Sequence, residues 1–261
     1  MSILLSKILF RLFNLAEKNE NTNMNLNGEK KILSILLNNY ENFTFFDVGT
    51  NKGDYTQLII DANTSQIKLN GHLFEPLKEL NLKLKMRFKK NNFIINNIAC
   101  SDKIKTETFF SSSQQSHSSF YNWSGKTKKI KIKTTTLLNY IKKNKVSKIN
   151  LLKIDTEGHD LFVLNGLKNK LNNKQIDFIQ FEYGIPNISS KTYLKDFYEI
   201  LTKKGFIIGK IMPNNIELRN YSHYMENFHN SNYLAISKKI INKKPKIKNY
   251  LRGNINLIEN E

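Results

Sequence analysis

Short apolar runs alternate with stretches of helical periodicity along most of the chain, and the alternation sets in near residue 43. Residues 43–48, 67–74, 93–100, 149–154, 176–181, 206–211 and 233–237 read as strands, and 30–40, 54–62, 77–88, 134–143, 158–171 and 193–204 as helices. Segments 106–110 and 129–133 mix or alternate apolar and polar residues, as half-exposed strands do. They enclose a loop, 111–125, rich in Ser and Gln. Strands alternating with helices build a mainly parallel sheet covered on both faces. Its buried strands are expected to be nearly all apolar, as 43–48 and 149–154 largely are.

The flanks differ. In residues 1–16, Leu4, Ile8, Leu12 and Leu15 share one helix face, and Phe10 and Phe13 add apolar surface elsewhere. The expectation is a helix docked on the domain or on a second subunit, as in a homodimer; the competing reading is an interfacial membrane helix. Lys7 and Arg11 interrupt the run, which argues against a signal peptide. No stretch reaches the roughly 18–20 apolar residues of a membrane span. Residues 17–29 are polar and Asn-rich and read as a linker. From 238 onward a basic tail is expected to fray. The chain thus divides into a helical extension with linker over 1–40, one domain over 41–240, and a tail over 241–261.

Composition sharpens this in three ways. At 261 residues and 39% hydrophobic, the chain supports one α/β domain with a full core and is not wholly disordered. The net charge of +19 suits a phosphate-rich partner, such as nucleic acid or an anionic membrane. The lysines are dispersed, however, and a codon preference for Lys, Asn and Ile gives the same excess, so nucleic acid stays only an open partner. The single cysteine, Cys100, excludes an internal disulfide and fits a reducing, cytoplasmic setting. It lies in an apolar run as a small buried hydrophobe would, and clustered Cys/His metal ligands have no support.

Four of the strand runs end in an acid: Asp47, Glu75, Asp155 and Glu182. A buried strand end tolerates a carboxylate poorly unless it has partners. Ligands of parallel sheets bind beyond the carboxyl ends of the strands, so four acids there indicate a shared polar crevice. The first strand runs into Asp47-Val48-Gly49-Thr50-Asn51-Lys52-Gly53-Asp54, where Gly49 and Gly53 permit a positive φ and close backbone approach. The spacing is neither the dinucleotide fingerprint nor a phosphate loop. Acids at Asp47 and Asp54 suit a cofactor with a positive amino-acid end better than a pyrophosphate. Glu75 can accept both hydroxyls of a ribose.

These residues resemble a known family. Phe46-Asp47-Val48-Gly49-Thr50-Asn51-Lys52-Gly53-Asp54-Tyr55-Thr56, Phe74-Glu75-Pro76, Asn97-Ile98-Ala99-Cys100-Ser101-Asp102 and Leu152-Lys153-Ile154-Asp155-Thr156-Glu157-Gly158-His159-Asp160 look like the motifs of FkbM-type methyltransferases, a branch of the class I S-adenosylmethionine-dependent enzymes. Val163-Leu164-Asn165-Gly166 and Asn232-Tyr233-Leu234-Ala235-Ile236 fit as well, so the resemblance spans roughly 43–238. It implies a Rossmann-like α/β fold whose seven-stranded, mainly parallel sheet has its last strand antiparallel. It implies O-methylation of a sugar, glycolipid or similar small hydroxyl compound. It places Asp47, Gly49, Thr50, Asn51, Gly53 and Asp54 at the methionine end, Glu75 and Pro76 at the ribose, and Asn97, Ala99 and Asp102 near the adenine. Asp155 would sit beside the sulfonium and the acceptor. Two departures bear on the acceptor: Leu138 stands where the family often has Asp, and Asp160 where it often has Glu.

Candidates for a base that takes the hydroxyl proton are Asp155, Glu157, His159 and Glu182. His159 at a helix start would stay neutral, as a base must, although a surface cap histidine fits equally. Lys153, two residues before Asp155, points to the same face of the strand, to pair with a carboxylate or polarise the acceptor. Asp155 and Glu182 alone are weak support for a divalent cation. His117, Phe120, Tyr121 and Trp123 either close over an acceptor or anchor their loop. Two other functions stay open: methylation of a nucleic-acid ribose 2′-hydroxyl, and a catalytically silent module that binds S-adenosylmethionine.

Overall fold

A computed structural model describes residues 3–259 apart from 113, 115, 116 and 126. Residues 1 and 2 of the predicted first helix, 113, 115 and 116 of the predicted loop, and 260 and 261 of the tail lie outside the described residues.

The first half runs α1 (Ile3–Glu17), α2 (Glu29–Leu37), β1 (Asn42–Val48), α3 (Asp54–Ala62), β2 (Lys68–Phe74), α4 (Lys78–Arg87), β3 (Ile94–Asn96), β4 (Ala99–Cys100), β5 (Thr106–Ser112) and β6 (Thr127–Thr135). The second runs α5 (Leu137–Lys143), β7 (Ile149–Ile154), α6 (Asp160–Asn165), β8 (Ile176–Tyr183), α7 (Pro186–Ser190), α8 (Leu194–Thr202), β9 (Phe206–Ile211), β10 (Ile216–Leu218), β11 (Ser231–Ser237), α9 (Lys238–Lys243), α10 (Pro245–Lys248) and β12 (Leu251–Gly253). The main sheet has the order β12-β10-β9-β11-β8-β7-β1-β2-β3. Its central strands pair in parallel, while β11 inserts antiparallel between β8 and β9. The expected seven strands with an antiparallel last one are therefore present, and β10 and β12 extend them to nine. Strands β4, β6 and β5 form a second, smaller sheet.

Alternation in β1 assigns the two faces. Phe43 and Phe45 point into one apolar layer with α2 and α3, and Phe46 and Val48 into the other with α5, α6 and α8. Each such buried side chain contributes about 1.5–3 kcal/mol. Strands β1 and β7 are neighbours in the interior of the sheet, where β1 takes β2 on one side and β7 on the other. The loops leaving β1 and β7 face the same crevice.

Several expectations need correction. The run 93–100 is two strands, because the chain leaves the main sheet after Asn96 and re-pairs with β6 at Ala99. The helix expected over 134–143 starts at Leu137. Its N-cap is Thr136, whose side chain accepts from the Asn139 N–H at 3.1 Å, and β6 occupies the residues before. The helix expected over 158–171 shortens to α6, capped at Gly166, plus a 3₁₀ turn at Lys168–Lys170; Gly166 abuts the Ser101 carbonyl too closely for a side chain.

The linker and tail are packed parts of the domain. Asn27 Nδ2 donates to Glu29 Oε2 at 2.6 Å, Gln180 Nε2 donates to Glu29 Oε1, and the Tyr55 hydroxyl donates to Gln180 Oε1 at 2.6 Å, all in the interior. In the tail Ile240, Ile241, Ile247 and Leu251 are buried, and β12 pairs with β10. Four apolar side chains among lysines suffice to hold the segment. By contrast, no residue of α1 is buried, so its Leu4/Ile8/Leu12/Leu15 face does not dock on this domain. Among the described residues no helix is long and apolar enough to cross a membrane.

Candidate active site

The loops at the carboxyl ends of β1, β2 and β7 enclose a cleft. The first wall is the turn after β1. Gly49 has φ 84°, and a Cβ there would lie 1.9 Å from the Asp155 carbonyl oxygen. Its need for glycine comes from the abutting loop after β7. Gly53, also at positive φ, packs against Leu84 and Phe88 of α4 and is not part of the cleft wall.

Between them Asn51 adopts φ 52°, and its N–H donates to Glu75 Oε2 at 2.9 Å. The Leu77 N–H donates to Glu75 Oε1 at 2.8 Å. Two backbone donors thus fix the carboxylate at the end of β2. Burial still pushes its pKa up to about 7, with the two N–H groups working against that rise. The Asn51 side-chain oxygen is buried at the cleft without a hydrogen-bond partner. An orphaned acceptor of this kind is expected where a ligand donor belongs.

Asp47 is 2% exposed and faces α3, where the Thr56 hydroxyl donates to Oδ2 at 2.6 Å. Desolvation raises its pKa to about 6, opposed by the Thr56 hydrogen bond and by Lys153. A cation arriving at the cleft would relieve that cost. Thr50, whose hydroxyl donates to the Asp47 carbonyl at 2.7 Å and whose N–H donates to the Phe74 carbonyl at 3.1 Å, ties β1 to β2. Asp54 borders the cleft but pairs with Arg87 at 2.7 Å, away from Asp47. Pro76, Leu77 and Ala99 complete the wall that runs toward the small sheet.

Asp155 leaves the end of β7, and Lys153 Nζ lies 3.2 Å from its Oδ2 and 5.3 Å from the Tyr55 ring centre. Lys153 is 3% exposed; the acids around it outweigh its desolvation and hold it protonated. Carboxylate oxygens of Asp155, Glu157 and Glu182 come within 4.8 Å of one another. Burial and mutual repulsion push Glu157 and Glu182 upward. The three oxygens are spaced as a divalent-cation site would be, yet the Lys153 ammonium already supplies a positive charge there. Asp160, at 1% exposure, receives the Thr156 N–H at 2.8 Å and also the Thr156 hydroxyl. It therefore holds the turn after β7, and its departure from the family pattern falls outside the cleft wall.

His159 does not stand free as a base. Its ring is sandwiched between Phe120 and Phe162, with centroids 4.0 and 4.6 Å away. Nε2 lies 2.9 Å from Ser101 Oγ and Nδ1 3.3 Å from the Tyr121 hydroxyl. Both nitrogens are engaged, and burial pushes its pKa down to about 3. It anchors the loop after β5, which Ser119 also pins by donating to the Glu157 carbonyl at 2.7 Å. Asn97 and Asp102 likewise stand outside the cleft wall. Asn97 Nδ2 donates to the Glu75 and Pro76 carbonyls at 3.1 and 2.8 Å, so it shapes the strand end behind the wall. Asp102 accepts from Ser101 at 3.1 Å. Trp123 and His117 pack on each other, centroids 4.8 Å apart, as loop anchors.

Residues that sequence reasoning did not place here include Met24, Tyr55, Phe109 and Thr156, all of which line the cleft. Met24 comes from the supposed linker and has no sequence signal. Phe120, picked out in the loop, lines the cleft as well.

The sequence matches the family model described as the methyltransferase FkbM domain over residues 47–208. No curated protein sequence matches. Similar solved structures include a methyltransferase FkbM from Methylobacillus flagellatus, at 12% identity, TM-score 0.46, 75% of this chain and 44% of that one. An O-methyltransferase from Bacillus cereus in complex with SAH matches at 11% identity, TM-score 0.45 and 91% of each chain. A SAM-dependent methyltransferase from Aquifex aeolicus matches at 11% identity, TM-score 0.43, 85% of this chain and 96% of that one. The chain thus spans less than half the length of the Methylobacillus protein.

Proposed function

The chain belongs to the FkbM methyltransferase domain family, with S-adenosyl-L-methionine as its cofactor, and on that premise we propose that it methylates a hydroxyl oxygen of a small, carbohydrate-like acceptor. The observation that carries this is the pairing of a donor half and an acceptor half in one cleft. Asp47, the orphaned Asn51 oxygen and Glu75 form the first; Asp155 with Lys153 and Glu157 forms the second.

The donor half fits the cofactor. Asp47 offers a buried negative charge to the methionine ammonium, and Glu75 offers two fixed oxygens to the ribose hydroxyls. When bound, S-adenosylmethionine supplies an electrophilic methyl group on a sulfonium. The chain's own task is then mainly alignment, which can contribute about 7–11 kcal/mol.

Asp155 is the group we assign to the acceptor. Its carboxylate accepts the hydroxyl hydrogen and fixes the oxygen's direction of attack. In the transfer, the Asp155 carboxylate would take up the proton that the acceptor hydroxyl gives up. Lys153 keeps Asp155 in place beside Glu157 and Glu182. Phe109 and Phe120 supply the aromatic faces that suit a sugar ring.

Calorimetric titration with S-adenosylhomocysteine should show binding, and a panel of hydroxyl acceptors should release S-adenosylhomocysteine from the methyl donor. Absence of heat with the wild-type protein refutes the donor assignment. Tight binding without turnover on any acceptor refutes the catalytic one.

A further inference from the structure

Helix α1 presents a run of large exposed apolar side chains. Leu4, Leu12 and Leu15 are 68%, 55% and 65% exposed, and Ile8 and Leu9 about half. At 3.6 residues per turn, Phe10, Asn14 and Glu17 share one side of the helix, and Leu4, Ile8, Leu12 and Leu15 lie roughly opposite. The protein body holds the first side. The Phe10 ring lies 4.8 Å from that of His229, Asn14 accepts from Asn19 at 2.8 Å, and Glu17 pairs with Lys210 at 3.0 Å and Arg219 at 2.6 Å. The apolar face is therefore turned outward by construction.

We propose that α1 is a membrane-interface helix that lays this chain on an anionic lipid bilayer. Lys7 and Arg11 fall on the border of the apolar arc, where their stems lie on hydrocarbon and their charges reach lipid phosphates. The one acid of the helix, Glu17, is turned inward to Lys210 and Arg219, so the outward surface carries only positive charge. The net charge of +19 acts in the same sense. A second copy is a poorer occupant, since it would bring a like-charged border and no outward acid to meet it. Fifteen residues rise only about 22 Å, too short to cross a bilayer, so the helix lies in its plane.

The location fits delivery of an acceptor. The backbone N–H of Glu20 donates to the Asn230 carbonyl at 2.9 Å, just before β11, at the sheet edge where β8 ends. The cleft opens at that same edge. Ile185 and Ile188, exposed in and beside α7, add apolar surface directly after β8. A bilayer there presents lipid-borne hydroxyls, a consequence that rests on the methyl-transfer reading above.

Flotation of the full chain with vesicles tests the docking. The wild type should float with phosphatidylcholine vesicles containing phosphatidylglycerol, and remain soluble with phosphatidylcholine alone. A Leu4→Asp/Leu12→Asp variant should lose vesicle binding about a hundredfold, by about a factor of ten per leucine removed from hydrocarbon. Its circular dichroism and S-adenosylhomocysteine titration should match the wild type, since both side chains are more than half exposed. A Lys7→Gln/Arg11→Gln variant should lose the preference for anionic vesicles. The proposal is overturned if the wild type stays soluble with anionic vesicles, or if the aspartate variant floats equally well. A dimer that the aspartate substitutions dissociate, without vesicle binding by the wild type, would assign the face to a second copy and also overturn it. Vesicle binding without S-adenosylhomocysteine binding upholds the docking and refutes only the methyl-transfer reading.

Discussion

Replacing Glu75 by Gln separates what its charge does for the fold from what it does for the ligand. In the free protein the carboxylate is 4% exposed and its pKa sits at about 7 instead of 4.5. That rise corresponds to about 3 kcal/mol of unfavourable charge burial. Its sign is such that the penalty is absent below about 4.5 and grows as pH rises to about 7. The amide removes this penalty, but it turns an NH₂ toward one of the two N–H groups that the carboxylate received. Losing one hydrogen bond to a charged acceptor costs about 1.5–3 kcal/mol. The two effects nearly cancel, so Glu75→Gln should leave the thermal midpoint within a few degrees. Ligand affinity has no such compensation. Hydroxyls that donate to a carboxylate lose the same 1.5–3 kcal/mol or so when it becomes an amide, about 10- to 100-fold in Kd. The wild type should also bind S-adenosylhomocysteine progressively more weakly as pH falls below about 7, by up to tenfold per unit, because binding favours the ionised form. The variant should lack that slope. Calorimetric titration across pH reads both. A variant within threefold of wild type, with the same pH profile, would refute the assignment of Glu75 to the ribose.

Three further outcomes follow from the geometry. Asp155→Asn should lower kcat about 10²–10⁴-fold while S-adenosylhomocysteine affinity stays within a few-fold, as steady-state rates and calorimetry would show. His159→Gln should destabilise the fold by roughly 2–4 kcal/mol, because the ring stacks between Phe120 and Phe162. In the wild type the His159 pKa falls from 6.5 to about 3, so its contribution is whole above 6.5 and lost as pH drops toward 3; urea unfolding of the variant should lack that acid slope of up to 1.4 kcal/mol per unit or so. Gly49→Ala should fail to give folded protein in an expression and proteolysis test, since its Cβ would lie 1.9 Å from the Asp155 carbonyl oxygen. A soluble Gly49→Ala with normal ligand binding would contradict the packing of the two loops.

The donor half of the cleft was legible because its signals are local. Acids at strand ends and glycines in the following turns occupy consecutive positions, so Asp47, Asn51 and Glu75 could be read together. Gly53 was read with them as a ligand contact, and what its position shows is that a Cβ there would meet Leu84 and Phe88. His159 was ambiguous because its surroundings come from Ser101, Phe120 and Tyr121, which only the tertiary fold brings to it. Strands β10 and β12 have three residues each, too few for an alternation to stand out; β10 is defined by pairing with β9, and β12 by pairing with β10. Glu29 fell in the stretch read as a polar linker. Its burial depends on Gln180 and Asn27 meeting it in the interior, a long-range fact that no window of sequence contains.

The attachment of α1 has a mechanical consequence. Lys210 is 1% exposed, and its ammonium is held by Glu17 at 3.0 Å and Asn19 at 2.6 Å. Peeling the helix away would leave that cation buried without its carboxylate, a state costing about 3–5 kcal/mol. About one molecule in a few hundred to a few thousand would then have α1 loose at any moment. The helix is accordingly a bracket and not a leash. Whatever surface it grips stands at a fixed angle and distance from the mouth of the cleft, and a substrate too deep or too shallow by several ångströms is rejected by geometry before chemistry begins.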